Sequence, residues 1–347
     1  MPFEADRLQG FVASVFTTIG ILPEHAEVSA TRLIEADLRG RGGHGLIRVR
    51  PWARRVMAGG INTKPEIRVE HETVASALID GDNGIGPAVV TTATEKAIAL
   101  AEQSGVAWVG TRRSNHAGAA GVYTALVRER GLIALYMAVA AGNSVPPWGG
   151  VEPLMGTNPL AVAIPAGNEV PFELDIATTV ASHGSIREKA LAGEPLPEGW
   201  VVGPDGQPIT DPARADKGML LPMGGHKGAG LDFMAGVLAG VLNGAAFGRE
   251  VVADSREPAR ASNTGQALLV LRPDLFMPRD QFLAEMDRQL ATFRASKSAT
   301  DQPVRLPGER AAATAEERRR DGIPIPAQLL ADLRALAEEL RLPDRLD

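Results

Sequence analysis

The sequence predicts an α/β fold with a helical domain built from both ends of the chain. Apolar residues recur at helical spacing near the N-terminus, strand-like and helical segments alternate through the middle, and leucines and alanines follow a 3.6-residue spacing in the tail. At 347 residues the chain is longer than one core usually requires, so we expect two domains. We assign residues 1–72 and 300–347 to the helical domain and residues 73–299 to the α/β domain.

The chain is predicted to open and close with helices. Residues 3–17 and 24–40 have the spacing of amphipathic helices, and Pro23 lies where the second one would begin. A third helix is expected from Ile47 to Met57, after which two glycines follow. In the tail, Pro326 to Leu340 is predicted to be helical.

The middle of the chain is predicted to alternate between strands and helices. Short apolar segments predict strands at Ile67–Glu70, Ala75–Asp80, Val106–Gly110, Leu132–Ala138, Leu160–Ile164, Phe172–Ile176 and Ala267–Leu271. Periodic segments predict helices at about Val89–Ser104, after His116, and at about Ala181–Leu191 and Ala229–Leu242. Residues 193–218 are rich in proline and glycine, and we expect a long functional or interfacial excursion there.

The composition argues against several kinds of site and partner. The net charge is −6 and the basic residues form no block beyond Arg318–Arg320, so a nucleic-acid surface is not expected. The absence of cysteine rules out disulfides, thiolate metal sites and thiol nucleophiles. The six histidines show no metal-ligand spacing, so no metal is expected. The N-terminus does not resemble a signal peptide and the apolar segments are short, so we expect a cytoplasmic protein that does not enter a membrane.

His44 and Arg48 are the most informative pair of residues in the sequence. A helical segment would place residues i and i+4 on one face, so that imidazole and guanidinium converge on one small ligand. Arginine binds a carboxylate through two parallel N–H groups, and histidine transfers protons near neutral pH. Such a pair is also common on a solvated helix face, but the glycines around His44 indicate a backbone that bends or lets a ligand approach. The pair predicts a site for a small acid.

Three later segments offer further polar groups where a sheet would end. His116 follows the strand at 106–110 among small residues, at a place where open α/β sheets bind ligands, although a histidine there is also commonly structural. Thr157 and Asn158 form a polar turn that presents a hydroxyl and an amide. Asp175 ends a strand, where a carboxylate accepts hydrogen bonds from ribose hydroxyls or caps a helix.

The run from Gly224 to Gly228 is the best candidate for a phosphate site. It includes His226 and Lys227 and precedes a long apolar helix. Its glycines leave the backbone N–H groups accessible, and together with the helix N-terminus and the lysine these groups favour an anion. It matches neither the P-loop nor the Rossmann fingerprint, and the chain has no G-x-S-x-G serine. A dinucleotide would therefore be held by another route.

Taken together, these motifs resemble the malate/L-lactate dehydrogenase family that is unrelated to the Rossmann-fold lactate and malate dehydrogenases. Members of that family act on ureidoglycolate, sulfolactate, diketogulonate and cyclic imino acids. Seven segments match in the same order across nearly the whole chain, which would not be expected by chance. They are His44-Gly45-x-x-Arg48, Ser114-Asn115-His116-x-Gly118-Ala119-Ala120-Gly121, Gly156-Thr157-Asn158-Pro159, Asp175-x-Ala177-Thr178, Gly193-Glu194-x-x-Pro197-Glu198-Gly199-Trp200, Gly224-Gly225-His226-Lys227-Gly228 and Pro307-Gly308-Glu309-Arg310.

The resemblance implies hydride transfer between NAD or NADP and a 2-hydroxy or 2-amino acid, a non-Rossmann α/β domain with a mixed sheet, and a homodimer. It implies that His44 and His116 lie at the reacting centre and that Arg48 holds the substrate carboxylate. The other residues implied at the substrate are Trp52, Thr157 and Asn158. Those implied at the cofactor are Asp175, Ile176, Ala177, Thr178, His226, Lys227, Gly308, Glu309 and Arg310.

The chain departs from the family pattern at three places that bear on the substrate. Gly43 stands where serine commonly precedes the histidine, Trp52 replaces a tyrosine, and Gln266 replaces the histidine of an Asn-x-Gly-His segment. Three hypotheses therefore stay open: a 2-hydroxy acid dehydrogenase, a reductase of cyclic imines such as pyrroline or piperideine carboxylate, and a nucleotide- or acid-binding homologue without activity. The sequence does not choose between NAD and NADP, nor between the two histidines as the proton donor.

Overall fold

The computed structural model describes residues 2–347, except for the side chains of residues 188 and 191. Its helices are α1 (Ala5–Thr18), α2 (Pro23–Leu38), α3 (Val49–Met57), α4 (Gly86–Ser104), α5 (Gly121–Glu129), α6 (His183–Ala192), α7 (His226–Ala239), α8 (Arg279–Arg294), α9 (Glu309–Asp321) and α10 (Ala327–Glu339). Its strands are β1 (Pro2–Phe3), β2 (Arg68–Glu72), β3 (Ser76–Asp80), β4 (Val106–Ser114), β5 (Ile133–Ala138), β6 (Leu160–Ile164), β7 (Phe172–Ile176), β8 (Val201–Val202), β9 (Met219–Leu220), β10 (Thr264–Leu271) and β11 (Ile323–Pro324).

The central element is a mixed seven-stranded sheet in the order β2-β3-β4-β10-β5-β6-β7. Only β3 and β4 pair in parallel, because α4 connects them as a crossover, and the other neighbours in this sheet are antiparallel. The α/β class and the mixed sheet predicted from the sequence are confirmed. β10 lies at the centre of the sheet although it comes late in the chain, which leaves β7 at one edge.

Side chains on the two faces of the sheet enter different cores. On β10, Leu268 and Val270 pack with α4 and α5 on one face, whereas Ala267 faces α7 on the other. This alternation follows from the two-residue repeat of a strand. The sheet therefore places α5 and α7 on opposite faces.

The helices from both ends of the chain share a third core. Leu8, Phe16, Leu33 and Leu333 are all fully buried in it, and β1 pairs with β11 beside it. The division into two domains stays a prediction, and the boundary after residue 72 falls inside the sheet because β2 already pairs with β3. α2 packs against α4 and α5, so the loop that follows α2 reaches the sheet where β4 ends.

None of the helices in residues 2–347 is both long enough and apolar enough to cross a membrane.

Candidate active site

The loop between α2 and α3 carries His44 and Arg48 in two successive 3-10 turns, Gly42–His44 and Leu46–Arg48. Gly45 separates them in a non-helical conformation, with φ −99° and ψ −134°. The hypothesis that the two residues share one face of a continuous helix is therefore wrong. Arg48 instead reaches back to the residue before His44, since its Nε donates to the carbonyl oxygen of Gly43 at 2.8 Å.

The structure brings the two predicted histidines together with the predicted aromatic residue. The rings of His44 and His116 lie nearly parallel, with 5.8 Å between their centroids and 7° between their planes. Trp52, one helical turn beyond Arg48 and only 4 % exposed, meets His116 edge-on with its ring centroid at 5.8 Å. The indole thus forms an apolar wall behind the imidazole pair.

Both histidines are neutral near pH 7. Burial lowers the pKa of His44 to about 4, and the charges of Arg48 and then Arg41 add to this effect. Burial, followed by Arg48 and His44, also holds the pKa of His116 well below its usual range. The backbone N–H of Gly118 donates to Nδ1 of His116 at 3.3 Å, so the neutral ring carries its proton on Nε2.

Arg48 is a cation without a carboxylate partner among the described residues. Burial, followed by repulsion from Arg187, lowers its pKa, and Asp254 opposes that effect. Asp254 is itself engaged elsewhere: it pairs with Arg55 at 2.9 Å and accepts a hydrogen bond from Ser262 at 2.6 Å. The guanidinium of Arg48 is therefore suited to an anionic ligand.

Two further basic residues lie near Arg48, and sequence reasoning missed them. They are His183 and Arg187 on α6, and burial followed by the charges of Arg48 and Arg187 lowers the pKa of His183. His183 also lies within hydrogen-bond distance of Ser144, with 3.3 Å between Nε2 and Oγ. No motif marks either residue, because their relevance depends only on where α6 packs.

A buried network holds the segment that carries His116. The side chain of Asn115 accepts from Nη2 of Arg55 at 2.9 Å and donates to the carbonyl oxygen of Gly84 at 2.8 Å. Gln266, at the position where the family pattern has histidine, donates to the carbonyl oxygen of Asn115 at 3.1 Å. This departure from the family pattern supports the residue next to His116 and lies behind the site.

The predicted cofactor residues Asp175 to Thr178 lie in edge strand β7 and directly after it. Asp175 accepts from the backbone N–H of Gly121, at the N-terminus of α5, at 3.1 Å, and its carboxylate lies 3.9 Å from Nε of Arg41. The cleft beside it is lined by Arg39, Arg41, Gly121, Glu173, Asp175 and Ala311. Ile176 and Ala177 are half-buried and Thr178 is buried at the end of the strand.

The segment Gly308-Glu309-Arg310 lies at the beginning of the same strand. The N–H of Glu173 donates to the carbonyl oxygen of Pro307 at 3.1 Å. Gly308 has φ +102°, and a Cβ there would lie 2.9 Å from the nitrogen of Glu173, so only glycine fits. Glu309 is bound within the protein by Arg294 at 2.7 Å, whereas Arg310 is exposed.

The predicted phosphate segment joins β7 at its other end. The N–H of Met223 donates to the carbonyl oxygen of Thr178 at 2.9 Å, and α7 begins at His226. His226 and Lys227 are exposed at that helix N-terminus, with the ring of Trp148 6.1 Å from the imidazole. The three predicted cofactor segments thus lie along one strand, and the helix N-terminus next to one end of it favours an anionic group.

Thr157 and Asn158 occupy different environments. The carbonyl oxygen of Thr157 accepts from the N–H of Thr178 at 3.2 Å. Asn158 is fully buried, where its side chain accepts from Ala140 at 2.9 Å and donates to the carbonyl oxygen of Asp232 at 3.3 Å. Both ends of this amide are used within the protein, so the structure places Asn158 in the wall and does not bring its side chain to a ligand.

Asp232 on α7 is a fully buried acid beside this wall, and it provides a pH-dependent prediction. Burial raises its pKa to about 7, with Asn158 and Thr178 opposing. The folded state therefore binds a proton that the unfolded chain releases near pH 4, and stability falls as pH rises from about 4 to 7. We expect Asp232→Asn to raise the free energy of unfolding by about 1–3 kcal/mol more at pH 8 than at pH 4.

Thermal and urea denaturation at the two pH values measures this difference. Asp301→Asn, at an exposed aspartate, is the matched control and should show no such difference. If Asp232→Asn changes the free energy of unfolding equally at both pH values, the pKa of this carboxyl is not raised in the folded state.

The chain is similar to known proteins over nearly its whole length. The family model described as malate/L-lactate dehydrogenase matches residues 3–334. The chain is 34 % identical over 347 aligned residues to malate dehydrogenase of Pyrococcus horikoshii, covering 96 % of this chain and 94 % of that protein. It is also 34 % identical over 319 residues to delta(1)-pyrroline-2-carboxylate reductase of Ancylobacter novellus, covering 91 % and 92 %. Sulfolactate dehydrogenase from Methanocaldococcus jannaschii superposes with a TM-score of 0.91 at 34 % identity, covering 99 % of this chain and 98 % of that one.

Proposed function

The chain belongs to the malate/L-lactate dehydrogenase family, a family of nicotinamide-dependent oxidoreductases, and from this premise we propose that it transfers hydride to and from C2 of a small 2-oxo or 2-hydroxy acid. The observation that carries this proposal is Arg48, a half-buried cation with no carboxylate partner among the described residues, beside two neutral stacked histidines. A carboxylate bound to Arg48 would place C2 next to the imidazole pair.

His44 is proposed as the general acid and base. In oxidation, neutral His44 accepts the proton of the C2 hydroxyl, and in reduction its protonated form returns a proton to the carbonyl oxygen. The low pKa of His44 results partly from the charge of Arg48, so a substrate carboxylate on Arg48 raises it toward the working range. His116, with its proton on Nε2, can donate a hydrogen bond to the same oxygen.

The bound nicotinamide would supply or accept the hydride, and this chain's residues would hold the nucleotide. We assign Asp175 to a ribose hydroxyl, the α7 N-terminus with Lys227 to a phosphate, and residues 308–310, which precede Ala311 of the cleft, to the remaining part of the nucleotide. Both NAD and NADP are compatible with these groups, and parallel titrations with NADH and NADPH, followed by nucleotide fluorescence, decide between them.

Lys227→Ala is expected to weaken dinucleotide binding by about tenfold, because a charge-assisted contact to phosphate contributes about 1.5 kcal/mol. The same fluorescence titration measures this change. Lys297→Ala removes an exposed lysine outside the cleft and should bind the nucleotide like the wild type. Equal affinities of the two variants would remove Lys227 from the phosphate site.

Reduction of a cyclic imine is the second candidate function. The similarity to a pyrroline-2-carboxylate reductase favours it, and so does Gly43, which supplies no hydroxyl next to His44. An iminium arrives with its own charge and requires less from a proton donor. Oxidation of NAD(P)H with 2-oxo acids, compared with pyrroline and piperideine carboxylates, separates the two functions, and a panel without turnover would favour a binding protein without activity.

A homodimer is also proposed, with the outer face of α7 and the 3-10 turn Val241–Asn243 after it as the contact surface. Phe233 of α7 and Val241 and Leu242 of the turn are 56–60 % exposed, which is unusual for apolar side chains so close together. Sedimentation should give twice the mass of one chain, and Leu242→Arg should shift it toward a single chain. Val74→Arg, at an exposed turn far along the sequence, is the control, and an unchanged mass for Leu242→Arg would exclude this surface. The cytoplasmic location stays a prediction.

A further inference from the structure

A buried carboxylate in the last turn of α2 contacts the loop that carries the reactive residues. Asp37 is 6 % exposed, and its Oδ2 accepts the backbone N–H of Leu46 at 2.7 Å. Leu46 is 1 % exposed and begins the 3-10 turn that ends at Arg48. The hydrogen bond therefore fixes where the second turn begins.

The same carboxylate lies directly against Gly45, the residue between the two turns. A Cβ at Gly45 would lie 2.2 Å from Cγ and Oδ2 of Asp37 and 2.3 Å from Oδ1. Because φ of Gly45 is negative, this glycine is required by the close approach of the carboxylate and not by a left-handed backbone.

These contacts lie at the junction that sets the geometry of the site. His44 ends the first turn and Arg48 ends the second, so the angle between the turns decides whether both side chains face one ligand. The bond from Arg48 to the carbonyl oxygen of Gly43 crosses the same junction. Arg318 of α9 donates to the carbonyl oxygen of Asp37, so the C-terminal part of the chain supports the end of α2.

We propose that Asp37 is a positioning residue for the reaction, whose carboxylate holds the two turns so that His44 and Arg48 face one substrate. The inference rests on the proposed function for that substrate, and it adds a residue that touches neither substrate nor cofactor. Burial raises the pKa of Asp37 to about 6, opposed by the Leu46 N–H and then by Arg318. At pH 7.5 the carboxyl is ionised and accepts the N–H as an anion.

Three variants test the proposal. Asp37→Ala removes the hydrogen-bond acceptor, whereas Asp37→Asn retains an acceptor oxygen in a side chain of the same size. Glu24→Ala removes an exposed carboxylate of the same helix and is the control. In Asp37→Ala we expect kcat/KM for the acid to fall by about tenfold to a hundredfold, with KM rising and kcat falling together. Asp37→Asn should recover most of this loss, and nucleotide affinity should change less than twofold in all three variants.

Gly45→Ala approaches the same junction from the other side. Alone it should cost at least as much as Asp37→Ala, because its methyl group displaces the carboxylate. Combined with Asp37→Ala it should add less than threefold, since the space is then free. Independent, multiplying effects of the two changes would show that Gly45 and Asp37 do not act as one junction.

The readouts separate this inference from the proposed function. Oxamate, an unreactive 2-oxo acid analogue, can be titrated into the enzyme–NADH complex, and Asp37→Ala should weaken its binding even if no substrate is turned over. If the wild-type protein turns over none of the acids and imines of the panel, the proposed function is contradicted, but the inference about Asp37 is not. If Asp37→Ala has the KM and the oxamate affinity of the wild type, the inference is wrong. If Asp37→Ala does not fold, Gly45→Ala decides, and wild-type kcat/KM and oxamate affinity in that variant overturn the inference.

Discussion

Arg48→Ala is expected to lower kcat/KM for the acid substrate by about 30-fold to several-thousand-fold, which corresponds to about 2–5 kcal/mol of lost transition-state stabilisation. This range is the usual cost of removing one partner from a desolvated ion pair, here the arginine that would bind the substrate carboxylate. In the free protein Arg48 is half-buried and no described carboxylate neutralises it, so the substrate would provide its counter-charge. The effect should appear in KM and in kcat, because the clamp also aligns C2.

Arg48→Lys separates charge from geometry. Lysine retains the positive charge but has no Nε to donate to the carbonyl oxygen of Gly43, and it cannot bind a carboxylate with a planar fork. We expect it to recover less than a tenth of the lost efficiency. Arg54→Ala, which removes an exposed arginine of the next helix, is the matched control and should leave kinetics unchanged.

Steady-state kinetics on the substrate identified by the panel measures both variants, with nucleotide affinity as the check on folding. An Arg48→Ala variant with wild-type efficiency would show that the carboxylate lies elsewhere. Because α6 brings His183 and Arg187 near Arg48, those residues would then be the next candidates for the clamp.

The sequence predicted best those elements whose limits are marked by their own residues. β6 and β7 begin and end where expected. Pro159 and Pro165 border β6, Pro171 precedes β7, and proline cannot donate to a strand ladder. β4 extends beyond its predicted end at Gly110, because Thr111 and Arg112 pair with the end of β3 and Ser114 pairs with the beginning of β10. Polar residues in a strand give no apolar signal, so this extension could not be read from the pattern.

α8 and α9 were not predicted for a related reason. Leu290 is the buried residue of α8 and Ala315 that of α9, so neither helix needs an apolar stripe. Both are stabilised at their ends by ion pairs such as Arg294 with Glu309 at 2.7 Å, which depend on the folded chain. Hydrophobic periodicity detects helices that bury one face, and these two do not.

The candidate site was predictable in its residue types but not in its arrangement. His44 and His116 were selected by the chemistry of imidazole, and their stacking depends on α2 reaching the end of β4. The single helical face assumed for His44 and Arg48 was wrong, because Gly45 takes a non-helical conformation between two 3-10 turns, next to the carboxylate of Asp37. Asp37 carries no motif, and its contacts exist only after α2 and the loop have folded.

His44→Ala is expected to lower turnover by about a hundredfold to ten-thousandfold while nucleotide binding is preserved, the range for loss of a general acid or base. The imidazole of His44 stacks on the ring of His116 and lies close enough to Arg48 for that charge to lower its pKa, so a carboxylate on Arg48 would bring the C2 oxygen to it. Removing it leaves hydride transfer without a proton partner. His116→Ala should cost less, because its Nε2–H would only orient the same oxygen.

The pH dependence distinguishes the two histidines. In the free enzyme His44 stays a base down to about pH 4, so kcat/KM for oxidation should fall only below that pH, and the limb should be absent in His44→Ala. Added imidazole should restore part of the turnover of His44→Ala, since the space left beside the ring of His116 admits a small ring. Unchanged turnover in His44→Ala would assign the proton transfer to His116. If imidazole does not restore the lost turnover but the His44→Gln variant retains it, His44 donates or accepts a hydrogen bond without transferring a proton.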